Sequence, residues 1–350
     1  MNRWRALGAA AGAGISAAAA GLVWTQVERR SPTLRRYTVE VDLPSDVRPL
    51  RILQIADPHF YAGQEFLVDY VRDLASLDFD LVISTGDNLG SVDGLDLLAD
   101  AFEPLLRRPG VFVLGSNDYY SPRRKNWASY LRKGAKKEPK RTDKDLPWFE
   151  MTKMFTDAGW IDLTNQSEII ELPLFDEGVP CSGSEGVPAS RTVGSWGSAR
   201  SGDGSQAPLP SSGEVKIRRA QRVGFVGVDD PHIGRDHIPQ VPDNWDDSRM
   251  YRLGVTHAPY QRILNEYVSL GVHAIFAGHT HGGQLCVPGY GALVTNSDLP
   301  RAYASGMHTW GFGGDSAALH VSAGLGNSPF APVRFACRPE ASLVTLKPRS

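Results

Sequence analysis

Short apolar runs recur along this chain, and five of them stop on residues that carry chemistry. Leu50-Arg51-Ile52-Leu53-Gln54-Ile55-Ala56 leads into Asp57-Pro58-His59, and Leu81-Val82-Ile83-Ser84-Thr85 into Gly86-Asp87-Asn88. Val111-Phe112-Val113-Leu114 leads into Gly115-Ser116-Asn117-Asp118, and Leu253-Gly254-Val255-Thr256 into His257. Ala274-Ile275-Phe276 leads into Ala277-Gly278-His279-Thr280-His281-Gly282-Gly283. Runs this short and this continuously apolar predict strands buried on both faces. Between them, residues 65–77, 93–107, 148–160 and 258–270 carry apolar positions at helical spacing, with Pro109-Gly110 stopping the second. Strand, helix, strand in that order predicts β-α-β units with parallel pairing. Residues 37–41 alternate like a half-buried strand, while 168–172, 223–228, 292–295, 317–321 and 342–346 supply further short strands.

Three stretches depart from this pattern. Residues 1–36 open on Asn2-Arg3-Trp4-Arg5, continue through an uncharged, Ala/Gly-rich run over 6–24, and close on Glu28-Arg29-Arg30. That predicts a single N-terminal membrane anchor, with a signal peptide and a flexible Ala/Gly helix as the other readings. The side of the membrane stays open, because Arg3 and Arg5 precede the run while Arg29, Arg30, Arg35 and Arg36 follow it. Residues 37–350 are then one globular domain. Within it, 121–145 is strongly basic, either a solvated excursion or a basic lip that attracts anionic substrate or lipid phosphate. Residues 176–214 turn to Gly, Ser and Pro and read as a disordered insertion between two strands.

Composition narrows the function. At 41% hydrophobic and 22% charged, the chain is an ordinary globular protein, and a formal net charge of −2 argues against a general nucleic-acid binder. Cys181, Cys286 and Cys337 are too far apart to suggest a disulfide framework or a zinc knuckle. There is no P-loop and no Gly-x-Ser-x-Gly elbow. Nothing indicates the oligomeric state.

The strand ends collect Asp57, His59, Asp87, Asn117, His257, His279 and His281. Sites in open sheets gather at the carboxyl ends of strands, so these groups can meet in one crevice. Seven oxygen and nitrogen donors exceed the needs of one tetrahedral zinc, but two ions sharing a carboxylate use them all. Asp87, on the central strand end, is the expected bridge. Two ions about 3.5–4 Å apart lower the pKa of a shared water and hold both oxygens of an in-line displacement, which suits phosphate esters. Asp229-Asp230-Pro231-His232, after another strand, reads as a tight turn or as a neighbour of the metals.

The ordered series Asp57-x-His59, Gly86-Asp87, Gly115-x-x-Asp118, His257 and Gly278-His279-x-His281 resembles the calcineurin-like metallophosphoesterase superfamily. Gly278-His279-Thr280-His281-Gly282-Gly283-Gln284, with the late Gly324-Leu325-Gly326-Asn327-Ser328, Pro332-Val333-Arg334-Phe335 and Arg338-Pro339-Glu340, resembles its membrane-associated bacterial branch. The resemblance implies a four-layer α/β/β/α sandwich and two divalent ions, for which Mn, Fe, Zn and Mg all suit. It also implies that Asp57, His59, Asp87 and His281 hold one ion, and that Asp87, an Asn, His257 and His279 hold the other. Such a site hydrolyses phosphomonoesters or phosphodiesters, and with an anchor the substrate could be lipid-linked.

One position departs from the family. Where the family has Gly-Asn-His-Asp or Gly-Asn-His-Glu, this chain has Gly115-Ser116-Asn117-Asp118. In strict register Ser116 takes the ligand position and Asn117 that of the catalytic histidine; with a small backbone shift Asn117 ligates, the better donor of the two. Asn117 and Asp118 are the expected catalytic residues here, yet the histidine acid is missing, and another such as His232 would have to serve. The alternative is a catalytically weakened metal-binding protein that keeps the fold.

Overall fold

The computed structural model describes residues 19–122, 144–172 and 220–349. The basic stretch, apart from its first and last residues, and the Gly/Ser/Pro segment at 176–214 lie outside the described residues.

Two six-stranded sheets are stacked face to face. The first has the order β1(Thr33–Val41), β14(Glu340–Pro348), β2(Leu50–Ile55), β3(Leu81–Ser84), β4(Gly110–Phe112), β5(Ile161–Asp162). The second runs β12(Gly306–Phe312), β13(Asp315–Val321), β9(Ala274–Ala277), β8(Tyr251–Thr256), β7(Gln221–Gly227), β6(Ser167–Leu172). A small hairpin of β10(Cys286–Val287) and β11(Gly291–Ala292) lies apart from both. As expected, β2, β3 and β4 pair in parallel, and so do β7, β8 and β9.

Strand periodicity explains the layering. In β2, Leu50 and Ile52 face the second sheet, joining Val223, Phe225, Leu253, Val255 and Phe276 in a core between the sheets. Leu53 and Ile55 face the other way, onto α2(Glu65–Asp73), α3(Gly94–Phe102) and α5(Trp148–Asp157) through Val71, Phe102 and Phe155. Ile275 and Ala277 of β9 point outward from the second sheet to α6(Gln261–Ser269), meeting Leu264 and Tyr267. The result is helix, sheet, sheet, helix, the central strands largely apolar on both faces because each face has a partner.

Three expectations change. The strand expected over 292–295 is reduced to Ala292, the end of β11. The half-buried strand expected from residue 37 begins at Thr33 and pairs with β14 along its whole length, Thr33 opposite Glu340 and Val41 opposite Pro348. The expected membrane association through residues 1–36 is overturned: among the described residues no helix is long and apolar enough to cross a membrane. Residues 19–28 form a short helix, α1, that packs on the domain. Its Glu28 carboxylate, 5% exposed, accepts the backbone N–H groups of Ala336 at 3.0 Å and Cys337 at 2.6 Å.

Candidate metal centre

The polar residues after β2, β3, β4, β8 and β9 meet at one rim, where the two sheets are tied together. Backbone N–H of His279 donates to both carboxylate oxygens of Asp57 at 3.0 Å, and Gln54 Nε2 reaches Ala277 O at 3.0 Å. Two donor clusters result: Asp57, His59 and His281, and Asp87, His257 and His279, each with its ligand atoms within 4.8 Å of one another. Asp87 faces both. Its Oδ2 lies 3.5 Å from His59 Nε2 and its Oδ1 3.5 Å from His257 Nε2.

The backbone bends sharply to do this. Asp57, His59, Asp87, His279 and His281 all have left-handed conformations, with φ of 49°, 46°, 54°, 68° and 50°. Each costs an L-residue on the order of 1 kcal/mol, and such strain persists where surrounding structure enforces it for function. Five of the six cluster residues carry it; His257, in line with its strand, does not. Gly115 is required as well, since a Cβ there would lie 2.2 Å from Asp87 Oδ1.

The imidazoles show what the clusters are suited to hold. His257 Nδ1 faces Thr85 O at 2.8 Å and His279 Nε2 faces Asn296 O at 3.2 Å. Carbonyls only accept, so both nitrogens carry hydrogen, and in the neutral rings the lone pairs fall on His257 Nε2 and His279 Nδ1. Those two atoms face each other 3.1 Å apart, beside the Asp87 carboxylate. In the other cluster His59 Nε2 and His281 Nε2 are likewise 3.1 Å apart. Nitrogens aimed at one point next to carboxylates are a cation site, and the set fits two divalent ions.

Titration follows from the same crowding. Burial alone would lower His257, but Asp87, Asp230 and Asp57 outweigh it and hold the imidazole well above its ordinary value. Burial would raise Asp87; His257, His59 and His279 instead hold it well below. Asp57 is pushed up to about 7 by burial, and Asp87 adds to this against the pull of His257. His59, His279 and His281 are lowered, first by burial and then by cationic neighbours.

The third strand end is arranged differently from what its motif suggests. Asn117, in the short helix α4(Ser116–Tyr119), donates its backbone N–H to Asp87 Oδ1 at 2.8 Å and its amide Nδ2–H to Asp87 Oδ2 at 2.7 Å. Asp118 is fully buried and points away from the rim's centre into the backbone. It accepts N–H groups from Gly115 at 2.8 Å, Asp87 at 2.9 Å and Asn88 at 2.7 Å. That geometry clamps the Asp87 turn.

Several neighbours were missed or understated by sequence patterns. Asp230 caps the 3-10 turn Pro231–Ile233 by accepting His232 N–H at 2.7 Å. The exposed His232 ring thereby comes 4.5 Å from the His279 ring, with Nδ1 3.0 Å from the Tyr260 hydroxyl. Fully buried Arg334 donates to Gly324 O at 3.0 Å and Gly326 O at 2.8 Å, and its Nη2 lies 3.3 Å from His281 Nδ1. Gly326 N–H in turn reaches Asp57 O at 2.7 Å. The late glycine, arginine and glutamate motifs thus form the wall behind the Asp57 cluster.

Comparison with known proteins agrees with this geometry. Residues 50–184 match the family model described as "Calcineurin-like phosphoesterase". The chain is similar to "Uncharacterized metallophosphoesterase YkuE" of Bacillus subtilis (strain 168), 29% identical over 133 residues. That alignment covers 38% of this chain and only 43% of the relative's length. Among solved structures, "GAP50 the anchor in the inner membrane complex of Plasmodium" aligns over 83% of this chain and 76% of its own. Its identity of 12% and TM-score of 0.34 are too low to bear on fold or function. The matched segment carries Asp57, His59, Asp87 and the Gly115 turn, and the rest of the rim completes both clusters in the expected order. Over residues 50–184, the chain is thus similar to the calcineurin-like phosphoesterase family.

Proposed function

We propose that this protein hydrolyses phosphate esters at a dinuclear site, with Asp87 as the bridging ligand. The observation that carries the reading is the pair of donor clusters facing the two oxygens of one carboxylate. Two divalent ions bound there would lower the pKa of a water and neutralise the oxygens of a phosphate ester. The chain's own residues do the remaining work. Asp118 holds the Asp87 backbone N–H and Asn117 holds the Asp87 carboxylate, both as positioning residues. Thr85 and Asn296 orient His257 and His279 through their outer ring nitrogens. Ligand duty for Asn117, the role sequence favoured, competes with its amide bond to Asp87.

His232 supplies the general acid in this proposal. It stands on the open side of the His279 ring, and Tyr260 holds its Nδ1, which orients the opposite edge. Asn117 cannot serve, since an amide N–H is far too weak an acid to protonate a leaving group.

The test is metal content and hydrolysis of aryl phosphomonoesters and phosphodiesters, with and without Mn. Metal-dependent turnover is expected, reduced in His232→Ala by about 10²-fold or more in kcat while metal content is kept. Full binding of metal without turnover of either substrate class would reject the hydrolase. It would favour the second reading, a metal-dependent binding protein, for which the Asn at position 117 is the motivating feature.

A further inference from the structure

Behind the His281 turn lies a cleft of about 700 Å³ whose wall includes Gly282, Cys286, Ala336 and Cys337. Two of the chain's three cysteines meet here from segments about fifty residues apart in sequence. Cys286 Sγ donates to Gly282 O at 3.1 Å; Cys337 Sγ lies 3.6 Å from that same oxygen and 3.3 Å from His281 O. The two sulfurs thus converge on one carbonyl oxygen. Their backbones run side by side, with Leu285 bridged to Phe335 in parallel and Cys286 N–H donating to Phe335 O at 2.9 Å. A disulfide needs Cα atoms about 4.4–6.8 Å apart, a requirement that favours adjoining segments such as these. Gly282 leaves room for the sulfur, since a Cβ there would sit 2.6 Å from Cys337 Sγ.

We infer that Cys286 and Cys337 are an oxidisable pair that closes to a disulfide and disturbs the His281 turn. With a peroxide as oxidant, the more exposed Cys286 sulfur attacks one peroxide oxygen. The O–O bond breaks and one water leaves, giving a sulfenic acid. The Cys337 sulfur then attacks the Cys286 sulfur. The S–S bond forms, the S–O bond breaks, and the hydroxyl leaves as a second water with the Cys337 proton. The two sulfurs lose two electrons and the peroxide gains them. Closure removes both S–H donors from Gly282 O and His281 O, directly beside a residue of the Asp57 cluster. The cross-link itself does not depend on the phosphoesterase reading.

The experiment uses the full chain carrying Cys181→Ser, treated with hydrogen peroxide and then denatured for thiol titration and peptide mass spectrometry. The expected result is loss of both remaining thiols, a peptide joining Cys286 to Cys337, restoration by dithiothreitol, and lower bound Mn in the oxidised protein. Cys286→Ser under the same treatment should keep its Mn. Two thiols still free, or oxidation stopping at sulfinic acid or at links between chains, would overturn the pair. A disulfide that leaves bound Mn unchanged would overturn its effect on the turn.

Discussion

At Asp87 a carboxylate lies between two imidazoles, and that arrangement sets how the protein should take up metal. His257 is raised above its ordinary value, so a proton occupies it over a wider pH range, and this proton competes with the ion. Asp57, pushed up to about 7, holds a second proton below that pH. His59, His279 and His281 are lowered and already neutral, so they do not compete. Apparent Mn affinity should therefore fall as pH drops, by about tenfold per pH unit for each proton displaced. Calorimetry in buffers of different ionisation enthalpy should show proton release, and constant affinity between about pH 6 and pH 8 would contradict the argument. Asp87→Asn removes the negative charge both clusters face and should cost bound metal and turnover together, by about 100-fold or more. The residues of both donor clusters were readable from sequence because each closes an apolar run. The left-handed backbone at five of them was not, since no residue type marks it where glycine is absent. Nor was the orientation of Asp118, whose motif suggests chemistry while its oxygens hold amides.

The strands and helices were legible wherever a strong period or a continuous apolar run existed. The strand β12 was missed because Gly-Met-His-Thr-Trp-Gly-Phe mixes polar and apolar residues on an edge that is largely open. Also hidden was a polar contact between the sheets: His320 Nδ1 of β13 lies 2.5 Å from Gln54 Oε1 of β2. Burial, with His308 adding to it, lowers His320 to about 3. Its neutral form belongs to the fold, so this contribution is present above about pH 6.5 and is lost as pH falls from there toward 3. Gln54→Leu, which leaves His320 Nδ1 without its partner, should cost about 2 kcal/mol in denaturant unfolding. A second element-level outcome concerns β6 and β7, whose last pair, Leu172 opposite Gln221, closes an antiparallel hairpin. Replacing residues 173–220 with a short turn relieves about 2 kcal/mol of loop-closure entropy. The melting temperature should be at least the parent's, and a fall of several degrees would show that the segment contributes contacts.

At the scale of the whole fold, the decisive feature is that α1 and the C-terminal strap lock together behind the rim. The C-terminal strap brings Arg334 under His281 and sends β14 between β1 and β2. Glu28 on α1 then holds the strap by its Ala336 and Cys337 amides, and Trp24 Nε1–H secures the same carboxylate at 2.9 Å. Sequence alone could not separate this from an anchor, because the helix presents Leu22, Val23, Trp24 and Val27 outward while its few buried polar groups do the docking. A chain starting at Tyr37 would lose Glu28 and also Thr33–Arg36, which pair with Glu340–Leu343. It should melt several degrees below the parent and bind Mn more weakly, since the strap next to His281 loses its tie. Glu28→Ala isolates the cap, leaving two buried amides without an acceptor at about 1–3 kcal/mol. Equal melting temperature and equal Mn affinity for parent, truncation and Glu28→Ala would show that α1 rests on the domain without supporting its metal centre.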